Sequence, residues 1–166
     1  MHTLPPHRLL FVCTANICRS PMAEVLATMC GQERGWWVQA LSCGTEAMDG
    51  LPAAPNSQRV IKEIGGDLSE HLSQPVSAEL VAWADRVLCM ELRHASWVRE
   101  HFPQADAKIQ LLGTFGGVMN IPDPYGSWVF AYRKSRDLLR RSVEGLLDSM
   151  PPRPLPEEER RRLTLR

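Results

Sequence analysis

The sequence lacks the features that mark membrane and secreted proteins. Its 166 residues include no apolar run of membrane-spanning length, and the apolar stretch near the amino terminus is too short for a signal peptide. It also lacks excess charge, because 19 basic residues balance 19 acidic ones. A dedicated nucleic-acid-binding protein would carry a positive excess. We therefore expect a cytoplasmic protein with neither a membrane nor a nucleic acid as partner.

The number and the spacing of the cysteines argue against two further classes of protein. The five cysteines are Cys13, Cys18, Cys30, Cys43 and Cys89. Their number is odd and no CxxC pair occurs, so a secreted disulfide framework is not expected. Three histidines, at positions 71, 94 and 101, complete no zinc-binding motif. We therefore expect no metal and no other cofactor.

Buried strands alternate with helices along the chain. Apolar runs at 9–12, 36–44, 86–90 and 108–112 predict strands, and helical spacing of apolar residues fills the intervals. This alternation predicts an α/β fold, an open doubly wound four-stranded parallel sheet with helices on both faces. We divide the chain into a short amino-terminal tail (1–7), one domain (8–150) and a mobile tail rich in Pro, Arg and Glu (151–166).

The stretch "RLLFVCTANICRSPMAEVLATM" places a cysteine and an arginine at the two ends of one short loop. Cys13 ends the first strand, Arg19 follows it by six positions, and Ser20 with Pro21 predicts a helix start with Ser20 as N-cap. A loop that curls into a helix N-terminus directs backbone N–H groups at one point and binds anions. The positive potential there favours the thiolate, the nucleophilic form of cysteine. Taken alone, a cysteine six residues before an arginine is a weak pattern.

The stretch "FVCTANICRSPMAE" resembles the signature of the low-molecular-weight protein tyrosine phosphatases. The likeness rests on the residues Cys13, Asn16, Cys18, Arg19, Ser20 and Pro21. It extends to "IPDPYG" near residue 123 and to the order of strands and helices over 8–150. The resemblance implies that residues 13–19 form a phosphate-binding loop after the first strand, here called the phosphate loop.

The resemblance also implies a metal-independent phosphatase. Cys13 would be the nucleophile that forms a phosphocysteine, and Arg19 would hold the phosphoryl oxygens with the loop amides. Asp123 would be the general acid and base, although an Asp-Pro pair taken alone is merely a turn signal. The substrate-binding residues of the loop would be Thr14, Ala15, Asn16, Ile17, Cys18 and Ser20.

Further roles follow from the same resemblance. The side chain of Asn16, in a left-handed conformation, would bond to Ser42 and His71, and the Ser20 hydroxyl would donate to the Cys13 thiolate. Tyr125 would form an aromatic wall of the pocket. Cys18 would trap oxidised Cys13 as a reversible disulfide. Taken alone, His71 reads as a packing or surface histidine, Tyr125 as a core residue and Cys18 as a small buried residue.

Substrate preference is indicated in two directions. Ile17 stands where the protein-arginine phosphatases of this family carry threonine, which favours phosphotyrosine. Against this, Glu46, Ala47 and Met48 replace the aromatic residue common in tyrosine phosphatases, and "DPYGSWVFAYRKSRDLL" resembles the arginine branch. We therefore keep protein-arginine phosphatase as the alternative.

Two further alternatives are weaker. An arsenate reductase would need two more cysteines near the third strand, where only Cys89 lies, and a cysteine phospho-carrier module would need no general acid. The partners implied are phosphotyrosyl proteins, with a bacterial tyrosine kinase as a candidate, and we expect a monomer.

Overall fold

The fold is built on one parallel sheet, as seen in a computed structural model that describes residues 3–165. Its strands are β1 (His7–Cys13), β2 (Val38–Gly44), β3 (Arg86–Cys89) and β4 (Ile109–Leu111). Their spatial order is β2-β1-β3-β4, and all neighbouring pairs are parallel. The predicted four-stranded parallel sheet is confirmed.

Helices cover both faces of this sheet. The helices are α1 (Arg19–Glu33), α2 (Pro55–Lys62), α3 (Ala78–Trp83), α4 (Leu92–His101), α5 (Val129–Asp148) and α6 (Glu157–Thr164), with 3-10 turns at Pro103–Lys108 and Leu112–Gly116. None of the helices within residues 3–165 is long and apolar enough to cross a membrane.

Alternate residues of β1 supply the two halves of the core. Leu9 and Phe11 pack with α1, α2 and α5, whereas Leu10 and Val12 pack with α3 and α4. A strand that is buried on both faces is apolar throughout, which explains the continuous run at 9–12. The strand order reverses beside β1, and in such sheets ligands bind beyond the carboxyl ends of the strands at this point. Cys13 lies there.

The start of α1 differs from the prediction. The helix begins at Arg19, its N-cap position is Cys18, and no side chain caps it. Ser20 is therefore inside the first turn, and the N-cap assignment was wrong. Its hydroxyl is instead directed to the phosphate loop, where it meets the sulfur of Cys13.

Residues 151–155, predicted as part of a mobile tail, contact the amino-terminal edge of the sheet. The ring N–H of His7 donates to the carbonyl oxygen of Pro151 at 2.7 Å, and the amide of Trp37 donates to that of Arg153 at 2.7 Å. The sequence analysis had assigned no helix beyond this point, where α6 forms. β1 also begins one residue inside the segment predicted as the amino-terminal tail.

Candidate active site

The phosphate loop turns its carbonyl groups away from its centre. The carbonyl oxygens of Cys13, Thr14 and Ile17 all accept hydrogen bonds from backbone amides of the segment 45–54. The amides of residues 14–18 have no acceptor among residues 3–165. Since N–H and C=O groups of a peptide unit point in opposite directions, these amides face the concave side of the loop. Successive N–H groups around one concavity form an anion site.

Two backbone features allow this tight turn. Asn16 has φ of 57°, the left-handed conformation expected from the sequence, and asparagine tolerates it better than most residues. Gly44 ends β2 directly behind the loop, where a Cβ atom would overlap the carbonyl oxygen of Thr14. A glycine is required at this position because the two backbones touch.

The sulfur of Cys13 has one close polar side-chain neighbour. The Oγ of Ser20 lies 2.9 Å from it, and both residues are buried. The same oxygen accepts a hydrogen bond from Asn16 Nδ2 at 2.8 Å. When Cys13 is a thiolate it can only accept, so the Ser20 hydroxyl then donates to it.

Asn16 is fully buried and connects the loop to three other segments. Its Nδ2 donates to Ser42 Oγ at 3.0 Å, as expected, and its Oδ1 accepts from the Gln74 amide at 3.0 Å. His71 differs from the expectation, because its Nε2 donates to the backbone carbonyl oxygen of Asn16 at 2.7 Å and not to the side chain. Burial lowers the pKa of His71, so the ring is neutral and can keep this N–H on Nε2. Gln74 was missed by the sequence analysis.

Arg19 is buried, with 1% of its side chain exposed, and is held in place by two acceptors. Its Nη1 donates to Glu91 Oε2 and to the carbonyl oxygen of Ile121, both at 2.7 Å. A buried charge needs a partner of opposite sign, and Glu91 supplies it. The sequence analysis missed Glu91. Its position, two residues after the carboxyl end of β3 and near the predicted site, was a usable signal.

Asp123 and Tyr125 complete a cavity over the loop. The cavity has a volume of about 240 Å³ and its walls include Cys13, Ile17, Arg19, Asp123 and Tyr125. The Oδ2 of Asp123 lies 3.5 Å from Arg19 Nη2, and its Oδ1 accepts from the Tyr125 amide at 3.1 Å. Tyr125 is 69% exposed, so it forms a wall at the mouth of the cavity and not a core residue. Thr14, Ala15 and Cys18 also contribute to the lining.

Cys18 belongs to the phosphate loop and is buried, with 4% of the residue exposed. Burial raises its pKa to about 11, and its sulfur lies 3.7 Å from the hydroxyl of Tyr132. The five cysteines are all free thiols and all buried. Cys18 is therefore a thiol at neutral pH in the reduced protein.

A second cluster of ionisable groups lies away from this cavity. Cys30, Glu33 and Glu144 bring three potential metal-binding atoms within 4.8 Å of one another. Arg34 and Arg140 already pair with these carboxylates. The cluster is an ion-pair network between α1 and α5.

The sequence matches the model of a known protein family. Residues 8–157 match the model described as low molecular weight phosphotyrosine protein phosphatase. The chain belongs to this family. It is accordingly a phosphatase, and the predicted family and enzyme class are confirmed.

Similar proteins of this family include both substrate branches. A protein-arginine-phosphatase of Geobacillus stearothermophilus is 35% identical over 147 residues, which cover 87% of this chain and 97% of the relative. The low molecular weight protein-tyrosine-phosphatase Ptp of Acinetobacter johnsonii is 37% identical over 117 residues, which cover 70% and 79%.

Solved structures of relatives have the same fold. The structure of a low molecular weight protein tyrosine phosphatase from T. tengcongensis superposes with a TM-score of 0.82 and 34% identity, covering 86% of this chain and 99% of that one. The arginine phosphatase structure from Geobacillus stearothermophilus gives a TM-score of 0.79 and 36% identity, covering 86% and 92%. The two branches are therefore about equally similar to this chain, and its substrate must be inferred from its own residues.

Proposed function

We propose that this protein hydrolyses phosphotyrosine on proteins through a phosphocysteine intermediate. The observation that carries the proposal is that Cys13, Arg19 and Asp123 line the same cavity. It combines a nucleophile, a buried guanidinium and a carboxyl group with the unpaired amides of the loop. These groups supply nucleophilic attack, charge stabilisation and proton transfer, so the reaction needs no metal.

The first step transfers the phosphoryl group to Cys13. Its thiolate attacks phosphorus as the bond from phosphorus to the tyrosyl oxygen breaks, and Asp123 gives its proton to that oxygen. Arg19 and the loop amides bind the three equatorial oxygens, where the negative charge is spread in the transition state. Ser20 donates to the thiolate and holds it in the attacking position.

The second step releases phosphate. Water attacks the phosphocysteine, Asp123 takes a proton from the water, and the phosphorus–sulfur bond breaks to regenerate the thiolate. Asp123 is suited to both steps because its side chain is 42% exposed and lies at the cavity, where solvent reaches it. The carboxyl group gives a proton in the first step, and the resulting carboxylate takes one from water in the second, so Asp123 returns to its starting state each turnover.

This two-step mechanism is tested with Cys13→Ser and Asp123→Asn, and Asp49→Asn is the control at an exposed aspartate. We expect Cys13→Ser to abolish turnover of an aryl phosphate. Asp123→Asn should lower turnover about a hundredfold or more and accumulate phosphocysteine, visible by mass spectrometry. Turnover by Cys13→Ser, or wild-type rates in Asp123→Asn, would contradict the assignment.

Ile17 supports phosphotyrosine as the substrate. Its side chain is half-buried against the core and lines the cavity. The arginine branch carries threonine here, and a smaller, polar side chain leaves room for a hydrated guanidinium group. The larger isoleucine side chain fills that space and gives the cavity an apolar wall, against which an aromatic ring can pack.

Protein-arginine phosphatase is the second candidate. It is favoured by the 35% identity to the Geobacillus stearothermophilus enzyme over nearly its whole length. Parallel turnover of phosphotyrosine and phosphoarginine peptides by wild type and Ile17→Thr separates the two. We expect wild type to prefer phosphotyrosine and Ile17→Thr to move toward phosphoarginine. A wild-type preference for phosphoarginine would overturn our choice.

We also propose a cytoplasmic monomer whose substrates are phosphotyrosyl proteins, with a tyrosine kinase among them. Support comes from the open mouth of the cavity at Tyr125, which a side chain on a protein surface can reach. Cell fractionation and light scattering test location and oligomeric state. Capture of a phosphorylated kinase on Cys13→Ser tests the partner.

A further inference from the structure

The hydroxyl of Thr14 has both of its acceptor sites filled. Arg93 Nη2 donates to Thr14 Oγ1 at 3.0 Å, and His94 Nε2 lies 2.9 Å from the same oxygen. The tautomer of His94 is fixed by its other nitrogen, because Nδ1 accepts from the backbone amide of Glu91 at 3.1 Å. Nε2 of the neutral ring therefore carries the hydrogen and donates to Thr14.

Because both neighbours of Thr14 Oγ1 are donors, the hydrogen of the Thr14 hydroxyl cannot bond to either of them. A hydroxyl accepts at two lone pairs and donates once. The two hydrogen-bond partners of the Thr14 hydroxyl are both donors, and no acceptor for its own hydrogen occurs among residues 3–165. Thr14 is one of the residues that line the cavity together with Cys13. Its hydroxyl is therefore a donor without an acceptor beside the cavity.

Arg93 is fixed beside this hydroxyl and is open to solvent. Its Nε and Nη2 donate to Glu91 Oε2 at 3.2 and 3.0 Å, while its side chain stays 57% exposed. Its Nη1 has no hydrogen bond within the described part of the chain. A guanidinium that is held on one edge presents its remaining N–H groups in a defined direction at little further entropic cost.

Arg93 shares its nearest carboxylate with a second guanidinium group. Glu91 Oε2 is shared between Arg93 and the buried Arg19, so one carboxylate faces two guanidinium groups. Two other acidic side chains act on Arg93, namely Asp123 across the cavity and the exposed Glu46. Asp123 is uncharged while it serves as the general acid. While Asp123 is protonated, the two guanidinium groups face the two carboxylates of Glu91 and Glu46, and Nη1 of Arg93 still has no hydrogen-bond partner among residues 3–165.

We propose that Thr14 and Arg93 form a second anion-binding point at the mouth of the cavity, which takes the carboxylate of an acidic substrate residue beside the phosphorylated one. The proposal rests on the proposed phosphatase function, because the phosphoryl group anchors the substrate in the phosphate loop. The pair then selects among phosphorylated sites by their neighbours. A carboxylate fits because it accepts from a hydroxyl and a guanidinium together.

The experiment compares two phosphotyrosine peptides that differ only in Glu or Gln beside the phosphorylated residue. The readout is the ratio of their kcat/KM values, which cancels any general change in the catalytic centre. We expect wild type to prefer the Glu peptide about fivefold at low salt, as one partly exposed charge-assisted contact provides, and less at high salt.

Three variants locate the preference. Arg93→Gln should bring the ratio to about 1, and Thr14→Val should reduce it, whereas Arg99→Gln on the same helix should keep the wild-type ratio. Arg99 pairs with Asp106 and takes no part in the site. A wild-type ratio near 1, or a full preference in Arg93→Gln, would overturn the proposal.

Binding measurements separate this proposal from the phosphatase function. The Kd values of both peptides for Cys13→Ser, measured by calorimetry, give the same ratio without turnover. Tighter binding of the Glu peptide with no wild-type hydrolysis would reject the proposed phosphotyrosine hydrolysis and retain the anion-binding point. Equal binding, or no binding of either peptide, would reject the anion-binding point.

Discussion

Arg19 Nη1 and Glu91 Oε2 lie 2.7 Å apart, and the arginine of this pair is almost wholly buried. The contact aligns the guanidinium so that its other edge faces the cavity. Partial burial favours the protonated form of Glu91, but hydrogen bonds from Arg93 and Arg19 outweigh this and hold the pKa of the carboxyl below its usual range. Glu91 is therefore ionised throughout the neutral range and keeps Arg19 oriented.

Replacing Glu91 by Gln should slow the reaction of bound substrate more than it weakens substrate binding. An amide oxygen still accepts a hydrogen bond, but it no longer neutralises a buried guanidinium, so Arg19 loses its fixed orientation. We expect kcat/KM to fall about tenfold, equivalent to about 1.4 kcal/mol of transition-state stabilisation. Steady-state kinetics and vanadate inhibition measure it. Glu100→Gln, at an exposed site on α4, the helix that Glu91 caps, should behave as wild type. An unchanged rate in Glu91→Gln would show that Arg19 needs no carboxylate.

Removing the Ser20 hydroxyl should make Cys13 less reactive. Ser20→Ala deletes the only side-chain donor found near the sulfur among residues 3–165. A hydrogen bond to a charged group contributes about 1.5–3 kcal/mol, so we expect iodoacetamide to alkylate Cys13 about tenfold more slowly at fixed pH. Peptide mass spectrometry follows the modified cysteine, with Ser149→Ala as control. Equal rates would mean that the loop amides alone sustain the thiolate.

His94 should make the protein less stable as the pH falls from 7 to 5. Burial lowers the pKa of His94 to about 4, and Arg19 adds to this effect. The unfolded chain, with a pKa near 6.5, takes up a proton in this range while the folded chain does not, so the free energy of unfolding decreases. The expected contribution is about 2 kcal/mol between these two pH values.

Urea unfolding at pH 7 and pH 5 measures this contribution. The groups that act on His94 are Arg19 and Arg93, which lower its pKa, and Glu91 and Asp123, which raise it. The lowered pKa values of the buried His7 and the half-buried His71 add a loss of the same sign, so the variant must be compared with wild type. His94→Gln should show a shallower pH dependence, and His101→Gln, an exposed site on α4, should match wild type. The same slope in His94→Gln would locate the effect elsewhere.

Cys18 should protect Cys13 from irreversible oxidation. Peroxide converts the Cys13 thiolate to a sulfenic acid, and attack by the Cys18 sulfur then forms a disulfide with loss of water. The raised pKa of Cys18 leaves little thiolate at neutral pH, so disulfide formation should speed up as the pH rises toward 9. Activity after peroxide should return with dithiothreitol in wild type but not in Cys18→Ser. Full recovery in Cys18→Ser would refute this role.

The sequence predicts the architecture well because local signals dominate there. Continuous apolar runs and helical periodicity placed all four strands near their observed bounds, and Cys13 fell at the correct edge of the sheet. The helix start was misread because Ser20 satisfies a capping pattern, while its hydroxyl has a stronger partner in the sulfur of Cys13. A capping pattern in the sequence therefore does not predict the role of a serine whose hydroxyl can bond to a thiolate instead.

Three of the missed residues share a physical reason. Glu91, Arg93 and His94 follow β3, about 80 positions beyond the loop that they contact. Nothing within their own segment distinguishes them from an ordinary helix start with a capping glutamate. Their roles arise from the parallel pairing of β1 and β3, which brings the carboxyl ends of both strands together. Side-chain networks of this kind depend on three-dimensional neighbours, which a linear pattern does not contain.

The contacts of residues 151–155 with His7 and Trp37 have a practical consequence. They fasten residues 151–155 to the amino-terminal edge of the sheet, where β1 also begins and which lies opposite Cys13. β1 has seven residues, so about 20 Å separates this edge from the mouth of the cavity. A solid support that holds the protein by this edge would leave the mouth facing outward. The molecule can thus be immobilised without blocking access to large phosphoproteins.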